Sequence, residues 1–380
     1  MVPIRQVLRA YAPQDIFNCD ESGLFWRMIP GQSLYTCQIP GRKKESSRIN
    51  ALFCCNSDAS ERLPIWFVGT AERPKAFTAA SINIENLGCV WRSHRYAWIT
   101  GDIFKEWLIW FDQMMVGRKV ALLLDNFSAH ETGFKETRLQ LQNTLIVWLP
   151  TNQYQPLEQG IIRTWKAYWK REWMSFIMAE FERGYDPVLT MTVLKAIQWA
   201  ISAWNLDVPA DTIISCFRKA LAAGDTTAIN IDNSQLVREI QQEVQRLQLT
   251  NRINEAMNIN QFLDSAEEQV TDNLEDIDRM VLCQFTTPEE EEDDGWEALP
   301  TISASDALES LQKLRLYEEQ QADADRAFIQ LLLRHERVLI KRKGKLNSNK
   351  KISELSSAER VLLSSINEQS PGRDGPIAYN

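Results

Sequence analysis

The sequence has few of the residues that build zinc sites or disulfide frameworks. Its 380 residues include seven Cys and three His, and no two Cys form a CxxC pair. An odd number of irregularly spaced Cys gives neither a disulfide pattern nor the spacing of zinc ligands. We therefore expect a reduced intracellular protein without a zinc knuckle or a disulfide framework.

Long hydrophobic runs are also missing. The longest unbroken aliphatic run inland is Val120–Leu124, and the first fifteen residues contain two Arg and no apolar stretch. A membrane helix needs roughly 20 apolar residues, and a signal peptide needs an apolar core. The sequence therefore predicts no membrane partner and no signal peptide.

An excess of positive charge, which would favour nucleic-acid binding, is absent from the chain as a whole. There are 42 Lys and Arg against 51 Asp and Glu, a net charge of -9. The deficit is confined to one part, because residues 1–225 hold 25 basic and 22 acidic residues, whereas residues 226–380 hold 17 and 29. Twelve of the thirteen Trp precede residue 205. Since large apolar side chains are needed for a core, we expect the folded domain over residues 10–222.

The remaining sequence predicts a polar, partly helical and partly disordered carboxyl-terminal tail. We expect a polar helical segment over 226–262, an acidic disordered linker over 263–304 with six consecutive acids at 289–294, an amphipathic helix over 305–343 and a disordered tail over 344–380. The amphipathic helix could pair with a second copy or with a partner helix, or could be a marginal surface helix. The basic residues from Lys341 onward are either a nuclear-import signal or a solvated tail.

The pattern within the folded domain is typical of an α/β protein. Short segments rich in β-branched and aromatic residues predict strands, and apolar residues at three- and four-residue steps predict helices. The predicted strands cover 15–18, 24–28, 48–55, 63–68, 119–124 and 144–149. One predicted helix begins near 101, and three later ones cover 157–183, about 188–205 and 210–221. This order favours a mixed sheet covered by helices.

Three carboxylates lie where a predicted strand ends or a helix begins. Asp20 and Asp125 follow apolar strands, and Glu158 opens the long helix. A carboxylate near a core is costly unless it is paired, hydrogen-bonded or bound to a cation. If the three converge, their oxygens suit Mg²⁺ and the hydrolysis of phosphodiesters.

Other roles are open to each of these residues on spacing alone. Asp20 could be a turn residue, and Asp125 with Asn126 could close a strand as an Asx cap. Glu158 could be an acid of the first helical turn, placed for the helix dipole.

Four blocks around these residues resemble, in the same order, the catalytic domain of pogo/Tigger-type transposases of the mariner superfamily. They are DIFNCDESG at 15–23, AWIT at 97–100 with Phe104 and Trp107, LDNFSAH at 124–130, and QPLEQGII at 155–162. The resemblance covers roughly residues 10–220. The helix at 305–343 is also similar to the tail of fungal members.

The resemblance implies an RNase H-like fold with a DDE-type site for two Mg²⁺ or Mn²⁺ ions. Asp20, Asp125 and Glu158 take the places of the three acids, which serve as metal ligands and catalytic residues. Asn126 and His130 match the family's DN…H element and are expected to support the second Asp or to touch the scissile strand, and not to be nucleophiles. The implied function is metal-dependent hydrolysis and strand transfer on DNA in the nucleus; the alternative is a non-catalytic relic that binds DNA or proteins.

The sequence departs from the family's pattern in three places. Position 158 is Glu where the family usually has Asp, and the loop at 149–156 is shorter than usual. No helix-turn-helix module precedes Asp20 in this sequence, so specific recognition of transposon ends is not expected. Non-specific DNA contact is predicted for Arg163, Lys166, Lys170 and Arg171, the first three of which would share a helical face.

Overall fold

The protein is described by a computed structural model that divides into two compact units, residues 1–298 and residues 299–380. The described residues are 2–31, 47–150, 155–221, 234–250, 252–253, 256–263, 265, 268, 302–321, 323 and 325–354. Part of the shortened loop, at 151–154, lies outside them, as do the acidic run at 289–294 and residues 355–380 of the predicted tail.

The first unit is built on a six-stranded mixed sheet. Its strands are β1 Ile16–Phe25, β2 Arg48–Asn56, β3 Trp66–Gly69, β4 Val90–Ser93, β5 Val120–Leu124 and β6 Thr144–Trp148. The spatial order is β4-β3-β2-β1-β5-β6, with β1 antiparallel to β2 and parallel to β5. An antiparallel β1-β2-β3 meander followed by two parallel strands on the other side of β1 is the RNase H-like order. The predicted α/β fold class is therefore confirmed.

Ten helices accompany these strands among the described residues of the first unit. They are α1 Val2–Leu8, α2 Lys75–Ala79, α3 Gly101–Met114, α4 Ser128–Thr137, α5 Ile162–Arg183, α6 Pro187–Thr190, α7 Val193–Ser202, α8 Ala210–Leu221, α9 Ser234–Leu249 and α10 Ile259–Leu263. Wide helical turns at Leu157–Ile161 and Ala203–Asp207 lead into α5 and follow α7.

Each face of the sheet is covered by a different set of helices. On one face, Phe17 and Cys19 of β1 pack with Phe104 and Trp107 of α3. On the other face, Leu24 of β1 belongs to the larger core that contains α5, α7, α8 and α9. Because both faces are covered, all ten residues of β1 are buried.

Three tryptophans of α5 show how the larger core accommodates polar groups. The indole nitrogens of Trp165 and Trp169 donate hydrogen bonds of 2.9 Å to the carbonyls of Ala200 and Ala196 in α7. The indole of Trp173 donates to the carbonyl of Met28 at 2.7 Å. The buried N–H groups therefore keep partners while the rings fill the core.

The structure corrects several predicted elements. The strands predicted at 15–18 and 24–28 are parts of the single strand β1, because the polar residues between them are buried rather than turned out to solvent. The sequence interpretation missed β4 and α4. The helix predicted at 188–205 is divided into α6 and α7, since Thr192 caps the start of α7 through the Lys195 amide.

The polar sequence beyond residue 222 also contributes to the first unit. Helix α9 contacts α5. It buries the four residues that the apolar spacing selected, namely Leu236, Ile240, Val244 and Leu247. Glu268, within the predicted disordered linker, is fully buried. The compact unit therefore extends past the predicted domain boundary at 222.

The second unit is a helical hairpin. In place of one predicted helix over 305–343 there are two, α11 Ala304–Glu319 and α12 Arg326–Glu354. Arg315 of α11 joins them through a bond of 2.6 Å to Glu336 of α12, and it also pairs with Glu319 of its own helix. The second helix continues into the region predicted as a disordered tail. Among the described helices of both units, none has the length and apolar composition of a membrane span.

Candidate active site

Strand β1 presents two neighbouring carboxylates to opposite faces of the sheet. Asp20 lies opposite Phe53 of β2, and Glu21 lies opposite Leu52. Successive side chains of a strand alternate between faces, so Asp20 points to the side of α5 and Glu21 to the side of α3 and α4. Both residues are buried, with exposed fractions of 6% and 9%.

Asp125 lies level with Asp20 on the neighbouring strand. In the parallel register, Asn18 of β1 is opposite Leu123 of β5. Asp20 comes two residues after Asn18 within β1, and Asp125 comes two residues after Leu123, directly beyond the end of β5. Neighbouring strands are about 4.8 Å apart. The carboxyl end of β5 therefore brings the second predicted acid beside the first.

Glu158 is brought to the same edge of the sheet by Asn18. The Asn18 amide donates to the carbonyl of Leu123 and to Oε1 of Gln155, and its Oδ1 accepts from the amide of Leu157 at 2.9 Å. Glu158 follows in the wide turn, exposed, with Oε2 accepting a 2.8 Å bond from the Gln155 amide. One buried Asn thus ties β1 and β5 to the segment that carries the third acid.

Burial and nearby acids both perturb the pKa of these carboxylates. Burial raises the pKa of Asp20 well above its ordinary value, and the charges of Glu158, Glu21 and Asp125 raise it further. Loss of hydration also raises the pKa of Glu158, with added repulsion from Asp125 and Glu21. Charged carboxylates in such surroundings favour a bound cation as a counter-charge.

His130 bridges Asp125 and Glu21. Its Nδ1 lies 2.7 Å from Asp125 Oδ1, and its Nε2 lies 3.0 Å from Glu21 Oε2. Burial acts to lower the pKa of His130, but the two carboxylates raise it to about 10. Burial likewise acts to raise the pKa of Asp125, and the His130 bond outweighs it and keeps the pKa low.

Two residues of this arrangement were missed by sequence reasoning. Asn18 ends the first predicted strand and Glu21 lies in the polar stretch after it, although both belong to β1. The segment from Ile16 to Phe25 does not alternate strictly between apolar and polar residues, so its pattern did not predict one strand. Asn126 has a different contact from the one expected, since its amide donates to the carbonyl of Leu149 at 3.2 Å.

The predicted basic face is not a surface in this structure. Lys166 and Lys170 are 1% and 0% exposed, and their Nζ atoms lie 2.9 and 3.5 Å from the carboxylate of Glu268. Arg171 is half-buried and pairs with Glu172. Arg163 alone of the four is exposed, and it donates to the side chain of Asn260.

The donor set fits a hard divalent cation in its chemistry. The described hydrogen bonds to Asp125 from His130 and Phe127 use Oδ1, and the bond to Glu158 uses Oε2, so the second oxygen of each carboxylate takes part in none of these bonds. Carboxylate oxygens are the preferred ligands of Mg²⁺. Within the described ranges, no three His, Cys, Asp or Glu side chains are arranged to hold a metal as they stand.

Comparison with known proteins places the chain in a family. The family described as DDE superfamily endonuclease matches residues 46–217. The chain is 33% identical to CENP-B homolog protein 2 of Schizosaccharomyces pombe over 89% of this chain and 68% of that protein. It is 24% identical to Tigger transposable element-derived protein 4 of Mus musculus, over 82% of this chain and 62% of that protein.

A solved structure also aligns with the chain. It is the Mos1 mariner paired end complex with Mn, at a TM-score of 0.32 and 11% identity, over 58% of this chain and 56% of that one. The family match, the two relatives and the resemblance of the four sequence blocks agree on one origin. The chain belongs to the DDE superfamily endonuclease family, as a transposase-derived protein related to CENP-B homologs and Tigger element-derived proteins.

Proposed function

We propose that this chain binds divalent metal ions at Asp20, Asp125 and Glu158 and hydrolyses phosphodiester bonds of DNA. The observation that supports this most directly is geometric: Asp20 and Asp125 lie at the same level on adjacent chain segments, and Asn18 holds the amide of Leu157, next to Glu158, at the same edge of the sheet. Burial, with the charges of neighbouring acids, raises the pKa of Asp20 and of Glu158, and a bound cation would offset the cost of keeping these acids charged.

The protein's own residues divide the work of such a site. Asp20 and Asp125 supply ligands from adjacent strands, and the exposed Glu158 closes the site from the start of α5. Two bound Mg²⁺ or Mn²⁺ ions would activate a water or a 3′-hydroxyl and stabilise the leaving oxygen. His130 is fully buried, so it orients Asp125 and does not touch DNA.

DNA is the proposed partner, and the nucleus the proposed location. Arg163 is exposed one helical turn beyond Glu158, where a phosphate approaching the site would meet it. The basic residues from Lys341 onward support nuclear import as a hypothesis. Their backbone, up to Glu354, belongs to α12.

A plasmid-nicking assay tests the enzymatic proposal. The full chain should nick supercoiled DNA with Mg²⁺ or Mn²⁺ and should lose this activity in EDTA and in the Asp125→Ala variant. Asp112→Asn is the matched control, because Asp112 is a buried carboxylate that accepts from the Gln142 and Asn143 amides at the opposite end of β6. Equal nicking by wild type and Asp125→Ala would reject the proposal.

A second candidate function is DNA or protein binding without catalysis. It is favoured by the arrangement of the acids, which form no ready-made metal cluster among the described residues. If this reading is correct, the chain should bind DNA in a salt-dependent manner, with Arg163→Gln weakening retention on a DNA column, yet show no nicking with any divalent ion. Retention that does not fall with added salt would contradict a phosphate-driven contact.

We also propose that the helical hairpin mediates self-association. Its exposed apolar side chains include Leu316, Tyr317, Val338 and Ile340, which are 43–58% exposed. If these side chains form one continuous apolar patch, a second copy of the chain would cover it. Sedimentation of the full chain should show a dimer that the double substitution Leu316→Glu and Ile340→Glu converts to a monomer; a monomeric wild type would reject the proposal.

A further inference from the structure

The side chain of Glu21 completes a chain of three residues that ends on Asp125. We propose that Glu21 is a positioning residue, which fixes the ring of His130 and through it the orientation of Asp125 toward the metal site. This inference rests on the proposed function, since it concerns the same ligand. It adds a fourth acidic residue, with a different role from the other three.

The geometry gives the direction of the two contacts. Carboxylates accept hydrogen bonds, so both nitrogens of the His130 ring donate, one to Glu21 Oε2 at 3.0 Å and one to Asp125 Oδ1 at 2.7 Å. A ring held at both nitrogens cannot rotate without losing both bonds. Asp125 Oδ1 is thereby engaged, and Oδ2 is the oxygen that the arrangement leaves for a cation.

Glu21 is placed where a carboxylate is costly without a partner. Its side chain is 4% exposed, and the neighbouring apolar residues of β1 on that face pack against α3. Burial of an unpaired carboxylate costs several kcal/mol. Charge pairing with His130 offsets this cost, so the two groups form a unit inside the apolar layer.

The position of the His130 backbone is set independently of Glu21. The ring of Phe104 lies 4.3 Å and that of Phe127 5.5 Å from the His130 ring, between centroids. One turn along α4, Gly133 allows close packing on α3, since an added Cβ would lie 2.9 Å from Phe104. Loss of Glu21 should therefore free the ring orientation rather than displace the helix.

Metal affinity separates a positioning role from a merely structural ion pair. Mn²⁺ binding to the full chain is measured from the loss of the free-ion signal in electron paramagnetic resonance, without any activity assay. The variants are Glu21→Ala, Glu21→Gln and Asp125→Asn. Asp112→Asn is the control for general destabilisation, because Asp112 is equally buried at the far end of the sheet.

We expect Glu21→Ala to weaken Mn²⁺ binding about 10- to 100-fold, the usual effect of removing a group that orients a ligand. Glu21→Gln should restore binding close to the wild-type level, because its amide oxygen still accepts from His130 Nε2. Asp125→Asn should abolish binding, and Asp112→Asn should lower the melting temperature alone.

Two outcomes would overturn the inference. Wild-type affinity in folded Glu21→Ala, with binding lost in Asp125→Asn, would leave the metal site in place and remove the role of Glu21. Absence of Mn²⁺ binding in wild type, or equal binding by Asp125→Asn, would reject the proposed function together with this inference. If Glu21→Ala does not fold, His130→Gln serves instead, because one amide cannot bridge both carboxylates, and unchanged affinity in that variant would overturn the inference.

Discussion

Asp20 is the residue at which stability and the proposed chemistry conflict. It is buried in the central strand, and burial together with the charges of Glu158, Glu21 and Asp125 raises its pKa well above the ordinary value. In the metal-free protein, ionisation of the Asp20 side chain is therefore less favourable in the folded state than in the unfolded chain, so a charged Asp20 lowers the free energy of unfolding.

Replacing Asp20 by Asn should stabilise the metal-free protein at neutral pH. The amide keeps an oxygen that can accept from the Glu21 amide, a bond of 2.9 Å in the wild type, and removes the buried charge. We expect a gain on the order of 0.5–2 kcal/mol in the free energy of unfolding, measured by urea denaturation in EDTA.

The stabilisation gained from Asp20→Asn should depend on pH. A folded pKa above the unfolded one means that the stability contributed by protonated Asp20 is fully present below the unfolded pKa and is lost as pH rises through the folded pKa. The advantage of Asp20→Asn over wild type should therefore be small at pH 4 and larger at pH 7. An advantage that is independent of pH would contradict this account.

Spacing left other roles open for Asp20, Asp125 and Glu158, and the family resemblance selected them as metal ligands, a role that stays a prediction; the structure places Asp20 inside β1 and not at the end of a strand. Asn18 and Glu21 could not be predicted, since their role depends on which face of β1 each occupies. Lys166 and Lys170 were predicted on a solvent face because helical spacing identifies a shared face and not what covers it. Glu268, about one hundred residues later in the chain, covers that face.

At the scale of elements, the wide turn at Leu157–Ile161 determines where the third acid lies. Gly160 has a φ of 142° and a ψ of -7° within this turn, a conformation that side chains with a Cβ rarely adopt. The turn therefore depends on glycine to join the Asn18 contacts to the first turn of α5.

Gly160→Ala should lower stability and metal affinity together. The strain of a non-glycine residue at this φ costs about 1–3 kcal/mol, and its relief would shift Glu158. Gly184→Ala is the matched control, because Gly184 also has a positive φ, of 82°, but lies at the far end of α5. Thermal melts should show a loss for both variants, and Mn²⁺ titration should show a loss for Gly160→Ala alone; equal metal affinities would contradict this role of the turn.

Glu268 connects the segment that follows α10 to α5, through Lys166 and Lys170, and to β1. Glu268 also accepts a 3.0 Å bond from the Phe25 amide. Burial acts to raise the pKa of Glu268, but the two lysines and this bond outweigh it and lower the pKa. The stability from this group is present above the unfolded carboxyl pKa and is lost as pH falls through the folded value.

Glu268→Ala should be among the most destabilising single substitutions in the chain. It would remove the carboxylate that both buried ammonium groups of Lys166 and Lys170 contact, at a cost of about 3–5 kcal/mol. Glu180→Ala is the comparison, since Glu180 is also buried but pairs with Arg183, which is 68% exposed and can be hydrated. Chemical denaturation at pH 7 should rank the two losses in that order, and a Glu268→Ala variant as stable as wild type would contradict the buried pairing.

The elements themselves could be predicted to different degrees. Helices α3, α5 and α8 follow the apolar period, so their existence was predictable from Phe104, Trp165 and similar residues. Strand β4 was missed because its four residues are only partly buried or exposed and carry little apolar signal. One long helix was predicted over 305–343, but the structure has a hairpin there, because the polar gap near Gln320 is a turn between two helices.

At the scale of the whole molecule, the sequence division at residue 225 identified the Trp-rich core but not the full extent of the first unit. Net charge and Trp count describe average composition, whereas α9 and Glu268 contribute through a few buried side chains. Four apolar residues at helical spacing and one acid are enough to bind a polar segment to α5.

A fragment of residues 1–222 should therefore fold poorly, and a fragment of residues 1–298 should fold as the full chain does. The shorter fragment uncovers the apolar contact of α9 and removes Glu268, the carboxylate that Lys166 and Lys170 contact. Circular dichroism melts should show a cooperative transition for 1–298 and a broad, less stable one, or none, for 1–222. Identical transitions would show that the polar segment adds nothing to the core.

The alternation of side chains along β1 determines which kinds of mutation the fold of such a protein tolerates. Substitution of Asp20 or Glu21 affects one face of the sheet and leaves the other face packed. Insertion or deletion of a single residue in β1 would exchange the faces of all later residues at once. We therefore expect descendants of this lineage that lose catalysis to do so by point substitution within β1, while its length is retained.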